Sequence, residues 1–357
     1  MTSQETLPRT DGDSNLSRYA RQLILPEVGE PGQRRLLNSR AVLVGCGALG
    51  SFLADALVRA GVGQLRIVDR DYLELNNLQR QVLFDEADIA EGLPKAEAAA
   101  RKLRRVNSLV EVEGVVEDAD ARNVERLCER ADILLDGTDN FETRYLLNDL
   151  AVKTARPWVY GAVIGTGGLC MPILPNETAC LRCVFEHAPP PELSPTCDTA
   201  GVLGPAVSMV AAFQAVEALK ILLGRRDELT RRLIHIDAWM GRVTLLNVQK
   251  AYEEGDCRCC RQKRFDYLQG RLGSSAARLC GRNAVQVSHV GGARISFEQV
   301  AAKLAPVAEQ APTYNQFMLK ARLGSHEIAL FADGRAIIKG TDDAEEARTI
   351  YARYIGA

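Results

Sequence analysis

Apolar residues along this chain come in short solid runs separated by longer stretches of helical period. Ala41-Val-Leu-Val-Gly45 is such a run, ending on glycines, and reads as a strand buried on both faces. Ala48–Ala60 then repeats its apolar residues at helical spacing, and Leu65–Asp69 is a second strand. The alternation continues through a helix rich in Ala, Arg and Lys at Lys95–Val106, a strand at Val110–Val116 and a helix at Ala121–Glu129. A strand at Asp132–Asp136, a helix at Phe141–Ala155 and a strand at Trp158–Gly161 follow. Strands alternating with helices at this rhythm predict an α/β fold, a doubly wound Rossmann-like sheet that is mostly parallel.

After Gly165 the texture changes. Leu169–Leu174 and Leu233–Val248 read as antiparallel strands, and Gly204-Pro205 opens a long apolar helix with proline in its favoured first turn. His187–Thr199 is proline-rich without periodicity and is expected to be an exposed, mobile loop. Beyond a boundary near Cys257–Gly281 the pattern predicts a small α+β unit. Its strands fall at Val285–Val287, Phe317–Leu323, His326–Phe331 and Arg335–Lys339, with helices at Ser296–Glu309 and Asp343–Tyr354. Asp333-Gly334 is its hairpin turn. The expected organisation is a disordered leader at 1–15, a large body at 16–260 and the small unit at 261–357.

Composition narrows the function classes. Among 357 residues, 44 basic and 46 acidic side chains leave a net charge of −2, which suggests neither a nucleic-acid nor a membrane partner. No uninterrupted apolar run reaches membrane-spanning length, and the polar N-terminus has no signal-peptide core, so a cytoplasmic location is expected. Ten cysteines are too few for a disulfide scaffold in a chain of this length, so metal or catalytic uses come first.

Gly45-Cys-Gly47-Ala-Leu-Gly50 follows a strand and opens a helix. Glycines there let backbone approach phosphates, and the helix N-terminus offers free amides to them. Asp69, closing the next strand, is placed to hold ribose hydroxyls. Taken alone this is the fingerprint of an NAD enzyme. The following residues point elsewhere. Asn77 and Arg80, three apart, share a face if their segment is helical, and Lys95 follows Pro94 at the head of a helix. Two cations near a glycine turn suit a triphosphate better than the pyrophosphate of NAD; the plainer alternative is a solvated surface charge for each. Asp139, in Asp136-Gly-Thr-Asp139-Asn140 at a strand's carboxyl end, could hold Mg²⁺ or could simply cap the next helix.

Cys180-Leu-Arg-Cys183 and Cys257-Arg-Cys-Cys260 are paired knuckles, the donor set of a closed tetrahedral Zn²⁺ site that staples the fold. Cys259 offers an alternative to Cys260. Redox pairs or plain buried cysteines are the competing readings. Cys197, in the proline-rich segment, is either an exposed nucleophile or an incidental loop cysteine.

Together these motifs, from Arg18-Tyr-Ala-Arg21-Gln to Cys260, resemble the ThiF/MoeB/HesA adenylyltransferases, bacterial relatives of ubiquitin-activating enzymes. The resemblance implies ATP and Mg²⁺ bound by the glycine turn, Asp69, Asn77, Arg80, Lys95 and Asp139. It further implies a homodimer in which Arg21 reaches the neighbour's phosphates, and a loop cysteine, Cys197, that joins sulfur transfer in some members. The substrate would be a small ubiquitin-like sulfur carrier ending in Gly-Gly, adenylylated on its C-terminal glycine for thiamine (thiazole) or molybdopterin synthesis. The tail lacks the cysteine loop of an appended rhodanese domain, implying a separate sulfur donor such as a cysteine desulfurase or rhodanese. Two other readings remain: an NAD-linked oxidoreductase and a non-catalytic, zinc-stapled carrier-binding module.

Overall fold

The alternating runs assemble into a sheet whose strand order reverses once, and that reversal fixes where a ligand can bind. The computed structural model describes residues 15–188, 197–272, 278–279, 283–287 and 295–355, with backbone alone at 197–198 and 278–279. The expected leader thus lies almost wholly outside the described residues.

Two helices, α1 (Ala20–Leu23) and α2 (Gly29–Leu37), lead into β1 (Arg40–Val44). Then come α3 (Ala48–Ala60), β2 (Gln64–Val68), α4 (Glu86–Ala90), α5 (Lys95–Val106), β3 (Glu111–Val115), α6 (Val124–Leu127), β4 (Ile133–Asp136) and α7 (Phe141–Thr154). The body continues through β5 (Trp158–Ile164), β6 (Gly167–Ile173), α8 (Leu181–Val184), α9 (Cys197–Ala200), α10 (Gly204–Leu222), β7 (Leu233–Asp237), β8 (Arg242–Leu246) and α11 (Gln249–Glu253). The strands form one eight-stranded sheet in the order β3-β2-β1-β4-β5-β6-β7-β8. Pairing is parallel from β3 through β5 and antiparallel from β5 to β8.

The solid apolar runs have their cause in two covered faces. Ala41, Leu43, Leu65 and Ile67 pack into the layer holding α3, α5 and α10, whereas Val42, Val44 and Val68 pack into the layer with α7. The helix α10 has the length and hydropathy of a membrane span, yet its Val207, Val210, Ala211, Ala215 and Ala218 are buried in the first of these layers. Its Gln214 is fully buried and donates to the Asp136 and Val159 carbonyls at 2.9 and 3.3 Å.

A second, six-stranded sheet has the order β11-β12-β13-β14-β10-β9. It is built from β9 (Arg278–Leu279), β10 (Ala284–Val287), β11 (Thr313–Tyr314), β12 (Met318–Leu323), β13 (His326–Phe331) and β14 (Ala336–Lys339), covered by α12 (Phe297–Leu304) and α13 (Ala344–Tyr354). Between the two sheets Phe265, Tyr267 and Leu268 still pack in the first body's core, beyond the cysteine knuckle.

Four expected elements differ, the first being Leu233–Val248, which is two strands, β7 and β8, parted by a turn at Gly241 (φ +61°). The helix expected over Ala121–Glu129 shrinks to Val124–Leu127, because the Asn123 side chain accepts the Asp120 amide and the Asp120 carboxylate accepts the Arg122 amide. The helix expected to run to Glu309 stops at Leu304, since Pro306 forbids continuation. Of the expected loop His187–Thr199, residues 189–196 lie outside the described residues and Cys197 begins the one-turn helix α9.

Replacing Gln214 by Leu keeps the volume but strips two buried carbonyls of a donor, which costs about 1–3 kcal/mol. Chemical denaturation of Gln214→Leu is expected to show a lowered midpoint with an unchanged slope.

Candidate active site and metal centre

β1 is flanked by β2 and β4, and the chain runs outward in both directions from this pair, so the crevice beyond β1 and β4 is the sheet's switch point. Two glycines meet there. Gly45 leaves β1 at φ +88°, and a Cβ on it would lie 2.6 Å from the Gly137 carbonyl carbon and oxygen. A Cβ on Gly137 would come within 2.2 Å of the Gly45 oxygen, and one on Gly50 within 2.0 Å of the same atom. Gly50 therefore lets α3 sit hard against the turn. Above Gly47, the first neighbour of a Cβ would be Gln81 Nε2 at 3.8 Å, so the amide-rich start of α3 opens to a ligand.

Asp69 reaches into this turn. Its buried carboxylate accepts the Cys46 amide at 2.6 Å and the Asp71 amide at 2.7 Å. Burial pushes its carboxyl above the usual range, while Lys95 and the two amides pull the other way. Burial likewise drives the Cys46 thiol up, which makes that thiol inert.

Lys95 is the first residue of α5, and its side chain is only 3% exposed, so it is not the solvated surface charge of the plainer reading. A buried cation at a helix N-terminus opposes the helix dipole, and the Asp71 carboxylate at 3.1 Å compensates for it. Local rules are broken in this way chiefly at functional positions.

Asp136 is fully buried and organises the turn after β4 by accepting from Thr138 N at 2.9 Å and Thr138 Oγ1 at 2.7 Å. Desolvation raises its pKa against the opposing pull of Arg144, which lies 3.4 Å away and donates to the Thr138 carbonyl at 2.8 Å. The capping role considered for Asp139 belongs to Asn140, whose side chain accepts the Thr143 amide at 2.9 Å. Asp139 itself stands exposed and acts electrostatically on Arg70.

Asn77 and Arg80 do not share a helical face. A short 3₁₀ turn ends at Asn77, which is buried and accepts the Glu74 amide at 3.2 Å. Arg80 follows in a turn and donates to the Asn76 carbonyl at 2.7 Å. The backbone at Gln79–Arg80 abuts the start of α10, 3.1 Å from where a Cβ on Gly204 would lie. Arg21 is exposed on α1, beside exposed Ile24 and Leu25. The side chain of Cys197 lies outside the described residues, although hydrogen bonds between Gly165 and both Gly201 and Leu203 fix the end of its segment. Sequence reasoning passed over Gln81, buried beside Gly47 with no hydrogen-bond partner for its Oε1. Its place four residues after Asn77 was the available signal.

The second constellation is the cysteine knuckle. The Sγ atoms of Cys180, Cys183, Cys257 and Cys260 all lie within 4.8 Å of one another, with near pairs at 3.4 and 3.7 Å. Tetrahedral zinc with four Zn–S bonds places sulfurs about 3.8 Å apart, so the quartet fits a closed zinc site. Cys259 stands outside this quartet, its Sγ accepting at 3.3 Å from Asn148 Nδ2, the amide that also reaches Cys180 Sγ at 3.7 Å. Asn148 also accepts the Leu181 amide at 2.8 Å, fixing the first knuckle on α7.

Residues 19–259 match the model of the ThiF family. The chain is 41% identical to a sulfur carrier protein ThiS adenylyltransferase of Bacillus subtilis, across 95% of this chain and 99% of that protein. It is 37% identical to the adenylyltransferase and sulfurtransferase MOCS3 of Aedes aegypti, across 72% of this chain and 59% of that one. Among solved structures, E. coli MccB with ATP superposes with a TM-score of 0.55 at 22% identity, covering 67% of this chain and 74% of that one, a likeness of fold.

The knuckle geometry predicts about one zinc per chain by elemental analysis. Cys260→Ser should lose that metal, whereas Cys259→Ala should keep it.

Proposed function

Because the chain belongs to the ThiF family, we propose that it is a sulfur-carrier-protein adenylyltransferase. It uses ATP to adenylylate the C-terminal glycine carboxylate of a small ubiquitin-like carrier. The observation that carries this reading is the buried Lys95 beside an open glycine crevice, an arrangement suited to a triphosphate. It stands in place of the nicotinamide-oxidoreductase alternative.

The carrier's α-carboxyl, with a pKa near about 3.5, is already ionised and needs no general base. One carboxylate oxygen forms a bond to the α-phosphorus, and the bond from that phosphorus to the bridging oxygen breaks as pyrophosphate leaves. The obstacle is an anion approaching a polyanion. The amides at the start of α3 and the Lys95 ammonium answer it by holding the phosphates and cancelling their charge. Arg80 joins them by exchanging the Asn76 carbonyl for a phosphate, and Asn77 steadies the turn that carries it. Asp69 keeps acceptor capacity for the ribose hydroxyls besides its two amides. Asp139 is the residue suited to hold Mg²⁺, which when bound neutralises phosphate charge. The four-cysteine zinc site is structural.

The enzyme works in the cytoplasm as a homodimer, with Arg21 completing the neighbour's site. The 16–260 body carries the chemistry, and the carrier serves thiamine thiazole synthesis, supported by the match to the ThiS-activating relative over nearly the whole chain. A separate desulfurase or rhodanese supplies the sulfur, in keeping with the partial match to a relative named for both activities. Cys197 serves sulfur delivery and takes no part in adenylylation.

ATP–pyrophosphate exchange driven by the carrier tests the reading. Arg80→Ala and Lys95→Ala should each lower it by about 10²–10³-fold, as loss of such a contact commonly does. Lys95→Ala should also lower the melting midpoint, because Asp71 loses its buried partner, while Arg80→Ala should not. If both variants exchange normally, the site assignment is wrong. Cys197→Ala should leave exchange unchanged and impair thiocarboxylate formation in the same preparation; a collapse of exchange would move Cys197 into the adenylylation site.

A further inference from the structure

The second sheet grips two segments of the first body. Lys339, ending β14, pairs with Glu74. Arg335 Nη1 donates to the Arg70 carbonyl at 2.8 Å. Gln286 on β10 donates to Asp118, which in turn holds Arg70 at 3.1 Å. All three reach the stretch that leaves β2 just past Asp69. On the other side, Asn315 Nδ2 donates to the Glu91 and Gly92 carbonyls at 3.1 and 3.0 Å, immediately upstream of Pro94-Lys95. The two gripped segments are also joined to each other, by an antiparallel bridge between Tyr72 and Pro94 and by the Lys95 amide donating to the Asp71 carbonyl at 2.9 Å.

The centre of the grip is buried, and its Lys339 and Asn315 contacts lie at the half-buried edge. Arg335 is 3% exposed and Tyr72 6%, with the Lys320 and Lys339 ammonium groups 4.5 and 5.1 Å from the Tyr72 ring centre. A guanidinium taken out of water and turned on a main-chain carbonyl costs desolvation and fixes backbone in return. Glu74 links the grip to the site. Its carbonyl accepts the Asn77 amide at 2.9 Å and its own amide donates to Asn77 Oδ1 at 3.2 Å, so Lys339 holds the residue that starts the turn leading to Arg80. Asn315 does the same for the approach to Lys95.

We propose that the C-terminal sheet is a clamp that presets the two cation-bearing segments of the nucleotide site, with Lys339, Arg335 and Asn315 as positioning residues. This rests on the reading that ATP binds at Arg80 and Lys95. Presetting a binding loop acts on ground state and transition state alike, so it governs KM for ATP rather than kcat.

In the full-length chain, Lys339→Met keeps the packing on Tyr72 and removes only the charge. It should raise KM for ATP in pyrophosphate exchange about tenfold, the equivalent of one lost contact of about 1.4 kcal/mol, with kcat nearly constant. Lys339→Arg should restore KM, and Asn315→Ala should raise it. Hydrogen exchange at the amides of residues 74–81 should quicken in Lys339→Met without nucleotide. Ile338→Ala, a core change in the same sheet, should lower the melting midpoint and leave KM alone. An unchanged KM in Lys339→Met and Asn315→Ala, with Arg80→Ala still inactive, would overturn the clamp and leave the function standing. A KM that rises equally in Ile338→Ala would overturn it too, as general destabilisation. If Arg80→Ala and Lys95→Ala are themselves silent, the nucleotide reading has failed and the clamp falls with it.

Discussion

Gly45 and Gly137 face each other backbone to backbone where the strand order reverses, and no side chain fits between them. This close approach brings the end of β1 against the turn after β4. It also forces a third glycine, Gly50, into the first turn of α3, so that the helix start sits directly over the crevice. The acidic residues then divide the work. Asp69 holds the turn through the Cys46 amide, while buried Asp136 shapes the opposite lip through Thr138 and Arg144. Asp139 is left exposed on that lip.

Much of this was legible in the chain because it is local. The helices Ala48–Ala60 and Lys95–Val106 fall on the residues their periodicity marked, and the glycine turn and cysteine spacing name their own chemistry. What escaped was set by distant partners or by competition between neighbours. The burial of Lys95 depends on Asp71, twenty-four positions upstream. Asn140 rather than Asp139 takes the cap, a contest between adjacent residues that spacing cannot decide. The same holds for the knuckle, where Cys260 makes a Cys-x-x-Cys and Cys259 a Cys-x-Cys with Cys257, and only the folded backbone brings Cys260 into the quartet while Cys259 takes Asn148. The grip of the second sheet on Arg70 and Glu74 joins residues 265 positions apart and leaves no periodic trace.

The two constellations support each other through α7. One end of that helix carries the Asn140 cap next to Asp139, and Asn148 farther along fixes the first cysteine knuckle. Arg144, between them, donates to the Thr138 carbonyl. A metal that steadies α7 therefore steadies the lip of the crevice as well.

The contact between Lys339 and Glu74 also sets the charge balance around the crevice. Asp71, Glu74 and Asp118 form an acidic rim beside the crevice, and Lys95, Lys339, Arg70 and Arg335 offset that charge. Two of those four cations arrive with the second sheet. Without that sheet Glu74 would lose its paired ammonium and stand as an uncompensated carboxylate on the rim, whereas Asp118 would keep Arg70.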